Sequence, residues 1–229
     1  MRQYYFRMIR LIWGLFLFSF GIVVTMKAHI GYAPWDVFHV GLAKTIGVSI
    51  GTVAIITGII IGIISLLLGE KIGLGTILNM ILIGVFFDLI YELPLIPLAN
   101  NLALGITMLM IGLFIIALAS YFYIGSGLGA GPRDSLMVAI TRKTGLPIGV
   151  CRGVIELFAV LVGWALGGMV GIGTVLAAFA IGFCVQITFN LLKFDVTKVQ
   201  HETLDYTYKT IFRNKKQKVF EEKEALQNE

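Results

Sequence analysis

Gly31-Tyr32-Ala33-Pro34-Trp35-Asp36 occurs a second time in this chain, as Gly129-Ala130-Gly131-Pro132-Arg133-Asp134, 98 residues further on. Outward from this pair the offset holds without a gap. Gly14-Leu15-Phe16 falls on Gly112-Leu113-Phe114, and Gly47 and Gly51 fall on Gly145 and Gly149. Gly69 and Gly73 fall on Gly167 and Gly171, Gly75-Thr76 on Gly173-Thr174, and Gly84 on Gly182. Self-similarity at a fixed offset marks a repeated structural unit. The chain is a duplication.

Composition gives the class of that unit. The 229 residues are 58% hydrophobic and 14% charged, with a mean hydropathy of +0.91. Soluble domains carry about a quarter charged residues. Apolar runs near the length that crosses a hydrocarbon core occur at roughly 9–27, 49–68, 72–92, 104–124, 147–166 and 171–191. The expectation is an all-α polytopic membrane protein of six transmembrane helices. No cleavable signal is expected, because the first run is long enough to stay as an anchor.

Each signature is followed by a helix too short to span, over 34–46 and 132–143. Proline suits the first helical turn, and aspartate is favoured just after it by the unpaired N–H groups and the dipole. Such a segment either dips into the membrane and climbs out or lies flat at the interface, as Trp35, Phe38 and Leu42 also permit. The organisation is therefore a first repeat over 1–93, an extracellular link over 94–103, a second repeat over 104–192, and a charged tail over 193–229.

Three spans per copy make the second copy enter the membrane upside down, an inverted 3+3 repeat. Charge draws the same picture. With the N-terminus inside, the interior receives Arg2, Arg7, Arg10, Lys71, Arg133, Arg142, Lys143, Arg152 and the tail. The exterior receives Lys27 and Lys44, as the positive-inside rule requires. Both termini are expected in the cytoplasm. The net charge of +5 is not a nucleic-acid footprint, since eight of the 18 basic residues lie from Lys193 onward among seven acids. Lys215-Lys216-Gln217-Lys218 suits anionic headgroups. Glycines spaced by four, as at Gly58 and Gly62, at Gly69 and Gly73, and at Gly163, Gly167 and Gly171, read as close helix contacts.

The residues able to carry chemistry are few. Asp36 and Asp134 have two compatible readings, helix-start stabilisers and pathway carboxylates, because acids near the bilayer mark substrate, ion or proton routes. Trp35 in the first copy stands where Arg133 stands in the second. Arg133 reads first as an interfacial anchor and second as a substrate-facing group. Asp88 is matched by Gln186, and both are candidates for a lined cavity. Gly31, Pro34, Gly129, Gly131 and Pro132 shape the signature loops. Arg152 and Glu156 read as a helical ion pair near the inner surface, and Asn79 and Asn190 as helix glue. His29 and His39 flank the first signature, where a proton relay is conceivable. Cys151 and Cys184 read as small buried hydrophobes.

No catalytic, cofactor or metal site is expected. Gly125-Ser126-Gly127-Leu128-Gly129 lacks the Lys and Ser/Thr of a phosphate loop, and no HExxH, nucleophile elbow or cysteine-pair site occurs.

Two motifs carry a resemblance. Pro34-Trp35-Asp36-Val37-Phe38 and Gly129-Ala130-Gly131-Pro132-Arg133-Asp134-Ser135-Leu136-Met137 resemble the signatures of the YczE/YyaS/YitT-like bacterial integral membrane proteins, nearest the YczE branch. The resemblance covers residues 1–193, and the second motif is the more specific. It implies a six-span bacterial plasma-membrane protein and adds no catalytic residue.

The functional expectation is a secondary transporter or permease for a small polar or charged solute. Asp36, Asp134, Arg133, Asp88, Trp35 and Gln186 are its candidate pathway residues. The alternative is a non-transporting accessory or substrate-capture subunit. Expected partners are the lipid bilayer, a small solute, and a second copy or another membrane protein, with no nucleic acid. Without a nucleotide-binding module, active transport would draw on an ion gradient or a separate ATPase.

Overall fold

The computed structural model describes residues 2–199 and 201–204. Among these, the helices are α1 Arg2–Lys27, α2 Pro34–Ile46, α3 Ile50–Leu67, α4 Leu74–Glu92, α5 Leu102–Gly125, α6 Pro132–Thr144, α7 Ile148–Ala165 and α8 Ile172–Leu191. A 3-10 turn follows at Val196–Lys198. Six of the helices, all but α2 and α6, are long and apolar enough to cross a membrane. Ile60, Leu67, Phe158, Phe179 and Phe183 are exposed on these helices, an outer surface that hydrocarbon solvates without penalty. The protein is a multi-pass membrane protein.

The basic residues before the first expected span, Arg7 among them, are part of α1. Arg7 donates through Nε to the Ser126 carbonyl at 2.7 Å, and Arg10 stacks 4.6 Å from the Tyr121 ring centre. These partners at the end of α5 hold the helix seven residues beyond the expected start at residue 9.

Element bounds in the two copies coincide at the 98-residue offset to within two residues, and most of their contacts correspond. α1 and α5 pack antiparallel along most of their length. Gly14 lies against the backbone of Tyr123, and its counterpart Gly112 lies against the backbone of Thr25, the counterpart of Tyr123. The short helices cross over: α2 packs on α7 of the other copy, and α6 packs on α3.

The signature glycines explain how each loop docks. Gly31 (φ 115°) and Gly129 (φ 139°) adopt backbone angles that L side chains avoid. Gly31 sits against Gly171 and Thr174 at the start of α8, while Gly129 sits against Gly73 and Thr76 at the start of α4. The Ile30 carbonyl accepts from the Gly173 N–H, and the Leu128 carbonyl from the Gly75 N–H, both at 2.7 Å. Each loop thus satisfies an orphan donor at a helix start in the opposite copy. At the far ends of the short helices, Lys44 donates to the Gly167 carbonyl at 3.0 Å and Arg142 to the Leu68 carbonyl at 3.1 Å. A cation over the last carbonyls of a helix is favoured by its dipole.

Some expectations are corrected here. Gly69 (φ 91°) and Gly167 (φ 88°) form turns after α3 and α7, and Gly73 and Gly171 precede α4 and α8. None of the four lies on a helix face. Gly41 and Gly163, by contrast, bring α2 and α7 together backbone to backbone. Lys215-Lys216-Gln217-Lys218 lies outside the described residues. The beginning of the charged tail is integrated into the bundle: Glu202 donates its N–H to the Gly127 carbonyl and pairs with Arg7, and Leu204 donates to the Ile72 carbonyl.

In one respect the copies differ. α3 and α4 are packed, with Gly51 and Gly84 in mutual backbone contact. Asp88 fastens that contact by accepting from Ser49 Oγ at 2.6 Å and from the Gly51 N–H at 2.8 Å. Their counterparts α7 and α8 are not packed together among the described residues. A side chain placed at Gly149 or Gly182 would meet nothing within 4 Å.

Candidate functional site

A cavity of about 380 Å³ lies between the two copies, within the size range of small-molecule sites. Its walls are built from matched positions: Trp35 with Arg133, Ala54 with Arg152, Gly58 with Glu156, Ile22 with Ser120, and Gly84 with Gly182. The frame is symmetric and the chemistry is not. At four of these matched positions the polar member, Arg133, Arg152, Glu156 or Ser120, comes from the second copy, opposite Trp35 or a small or apolar residue.

The first turns of α2 and α6 meet at the cavity. The Arg133 guanidinium lies over the Trp35 ring at 4.5 Å from its centre, a favourable cation–π placement. Arg133 Nη2 is 3.3 Å from His39 Nε2. A guanidinium only donates, so Nε2 is the acceptor and the imidazole proton sits on Nδ1. That nitrogen faces the Asp36 carboxylate, 4.0 Å from Oδ1. Asp36 and His39 are 7% and 3% exposed, so this chain lies behind Arg133 and away from the open cavity.

Asp134 has a different environment from Asp36, although the repeat equates them. It is exposed and lines the cavity, and one oxygen, Oδ2, accepts from the buried Tyr123 hydroxyl at 3.0 Å. Its other oxygen has no hydrogen bond among the described residues. Both aspartates lie in the first turn of their helices, where the dipole favours an anion, but neither is the capping residue. The capping positions are Ala33 and Gly131, and no side chain caps either helix.

Arg152 and Glu156 form the expected pair at 2.7 Å, and both line the cavity rather than the bundle's periphery. Asn79 lines it too. Asp88 is taken up by the clasp at the start of α3, and neither it nor the exposed Gln186 lines this cavity. The candidate residues brought together are therefore Trp35, Arg133 and Asp134, with Asp36 immediately behind. Gly131 and Pro132 line the cavity, whereas Gly31, Pro34 and Gly129 are buried in the docked loops. Tyr123 and Ser120 were not singled out from the sequence. The signal for Ser120 and the charged pair was a departure from the repeat, polar where the first copy is apolar or small.

Apolar walls from Met80, Ile83, Ile116, Ile181 and Val185 close the remainder. Among the described residues no cluster of three or more His, Cys, Asp or Glu side chains is placed to hold a metal ion. What the arrangement offers is recognition: a stacked guanidinium, a carboxylate with one oxygen unbonded among the described residues, and walls that are polar on one side and apolar on the other.

Comparison with known proteins agrees with the membrane architecture. The chain is 36% identical over 191 residues to the uncharacterized membrane protein YczE of Bacillus subtilis (strain 168), covering 81% of this chain and 88% of that protein. It is 34% identical over 184 residues to an uncharacterized protein of Haemophilus influenzae (strain ATCC 51907 / DSM 11121 / KW20 / Rd), covering 80% and 83%. It is 26% identical over 183 residues to the uncharacterized protein YyaS of Bacillus subtilis (strain 168), covering 79% and 90%. No solved structure matches it. Residues 5–190 match the family of unknown function DUF6198, and the chain belongs to that family.

Proposed function

We propose that this protein is a secondary transporter for a small polar or charged solute, with the cavity between the copies as its binding chamber. The observation that carries the reading is the unequal packing of matched helices around that chamber. α3 and α4 are sealed at Gly51 and Gly84, while α7 and α8 stand apart at Gly149 and Gly182. Two copies of one unit in two packings supply both conformations that alternating access needs.

Orientation follows from the same reading. With both termini in the cytoplasm and the copies inverted, the sealed end faces out and the open flank faces in. The loop contacts suit this arrangement. Tyr32 bonds to Met169 and Ala99 to Lys27, all on the outer side, while Glu202 bonds to Gly127 and Leu204 to Ile72 on the inner side. The signature loops enter from opposite sides, yet Trp35 and Arg133 touch. Both short helices must then begin at mid-depth, as re-entrant segments do, with their N-termini toward the chamber. Transport would draw on an ion gradient, for which Asp36 and Asp134 are the candidate coupling groups.

The test is uptake into proteoliposomes holding the purified protein, with imposed and collapsed proton and sodium gradients. Asp134→Asn should abolish concentrative uptake while the protein still inserts. Failure to move any solute across a broad panel would sink the transport reading and favour the accessory one.

A further inference from the structure

We infer that the chamber binds a small zwitterion, a molecule carrying one carboxylate and one ammonium on an aliphatic body. This deepens the transport reading and rests on it for the location of the site.

The inference comes from what the lining charges leave unpaired. Four charged side chains line the chamber, Arg133, Arg152, Asp134 and Glu156, and their formal charges sum to zero. Arg152 and Glu156 pair with each other, Nε to Oε1 at 2.7 Å, so each already has an opposite charge beside it. Arg133 has an aromatic face and an imidazole nitrogen, but no carboxylate within ion-pair distance among the described residues. Asp134 has one oxygen on Tyr123, and the other accepts no hydrogen bond among the described residues. Among the described residues, a guanidinium with no ion-paired carboxylate and a carboxylate with one unbonded oxygen therefore stand on consecutive residues of one helix turn.

Charge balance then selects the ligand. A simple anion would pair with Arg133 but lie beside the Asp134 carboxylate, which repels it. A simple amine has the reverse difficulty. A zwitterion satisfies both groups and adds no net charge to a low-dielectric chamber, where an uncompensated charge is costly. A planar carboxylate also matches the forked donors of arginine. Asn79, Ser120 and Tyr123 add neutral polar groups to the walls, while Met80, Ile83, Ile116, Ile181 and Val185 form an apolar side that suits an aliphatic side chain.

The experiment uses the full chain in lipid nanodiscs and calorimetric titration. Its probes are L-leucine, 4-methylpentanoate, which lacks the ammonium, and 3-methylbutylamine, which lacks the carboxylate. Alanine, valine and methionine extend the zwitterion set. At least one amino acid should bind, and each half-molecule should bind about tenfold more weakly or worse, the loss of one charge-assisted contact. Arg133→Gln should erase the preference of leucine over 3-methylbutylamine. Asp134→Asn should erase its preference over 4-methylpentanoate. This crossed pattern is not produced by a variant that simply misfolds. The inference is overturned if no amino acid binds, if a half-molecule binds as tightly as its parent, or if both variants weaken all probes alike. Binding without uptake would contradict transport and leave the site standing. Uptake of some other solute without binding of these probes would do the opposite.

Discussion

The guanidinium of Arg133 lies 4.5 Å from the centre of the Trp35 ring, and the two residues hold the same place in the two signatures. Equivalent positions of a duplicated chain therefore touch across the centre of the protein. If that stack organises the chamber, Trp35→Phe should keep most solute binding and Trp35→Ala should weaken it. A cation–π contact is worth about 0.5–2 kcal/mol, so the loss should be roughly twofold to thirtyfold. Calorimetric affinities of the two variants measure it, and equal affinities would remove the stack from the site.

Gly31→Ala and Gly129→Ala should each destabilise the fold. Both residues have positive φ, and a Cβ at either would strike the first turn of a helix in the other copy. Backbone strain of this kind costs about 1–3 kcal/mol, before the collision is added. Thermal unfolding in detergent should shift downward for both variants.

The paired glycines of the sealed and open flanks should behave oppositely. Gly51→Ala and Gly84→Ala meet backbone atoms directly and should lower thermal stability. Gly149→Ala and Gly182→Ala meet open space and should leave stability unchanged. The second pair should nevertheless reduce flux, because closing α7 onto α8 would bring those positions together. Normal uptake by both open-flank variants would count against closure at that point.

Much of the architecture was legible in the glycines. The ungapped offset, the helix-opening prolines and the terminal Gly47 and Gly145 located both short helices to within a residue, because each reports a local backbone requirement. The site was only half legible. Sequence spacing says which residues share a helix face, and it does not say which distant face will meet it. Arg133 and His39 are 94 residues apart in the chain, and Arg7 and Ser126 are 119 apart. For Asp88, too, spacing does not show which distant groups it meets. A carboxylate in a span is usually costly, but here Ser49 and the Gly51 N–H absorb it at the start of α3. Ala54 against Arg152 and Gly58 against Glu156 were readable as polar departures within a repeat, and both pairs line the chamber.

The clasp predicts its own phenotype. Asp88→Ala removes the acceptor for Ser49 Oγ and the Gly51 N–H together, so α3 and α4 should separate more readily. A probe cysteine at Ala54, on the α3 wall of the chamber, should then react faster with a membrane-impermeant maleimide added from outside. Unchanged labelling would show that glycine packing alone holds that flank shut.

Alternation itself is most directly tested by distance measurements between spin labels. One pair would join the start of α3 to the middle of α4, and the other the start of α7 to the middle of α8, in protein reconstituted with and without a bound solute. The account predicts two populations in which the pairs move oppositely, one flank short while the other is long, with the solute or an imposed gradient shifting their ratio. A single population, with α7 and α8 apart under every condition that supports uptake, would contradict it.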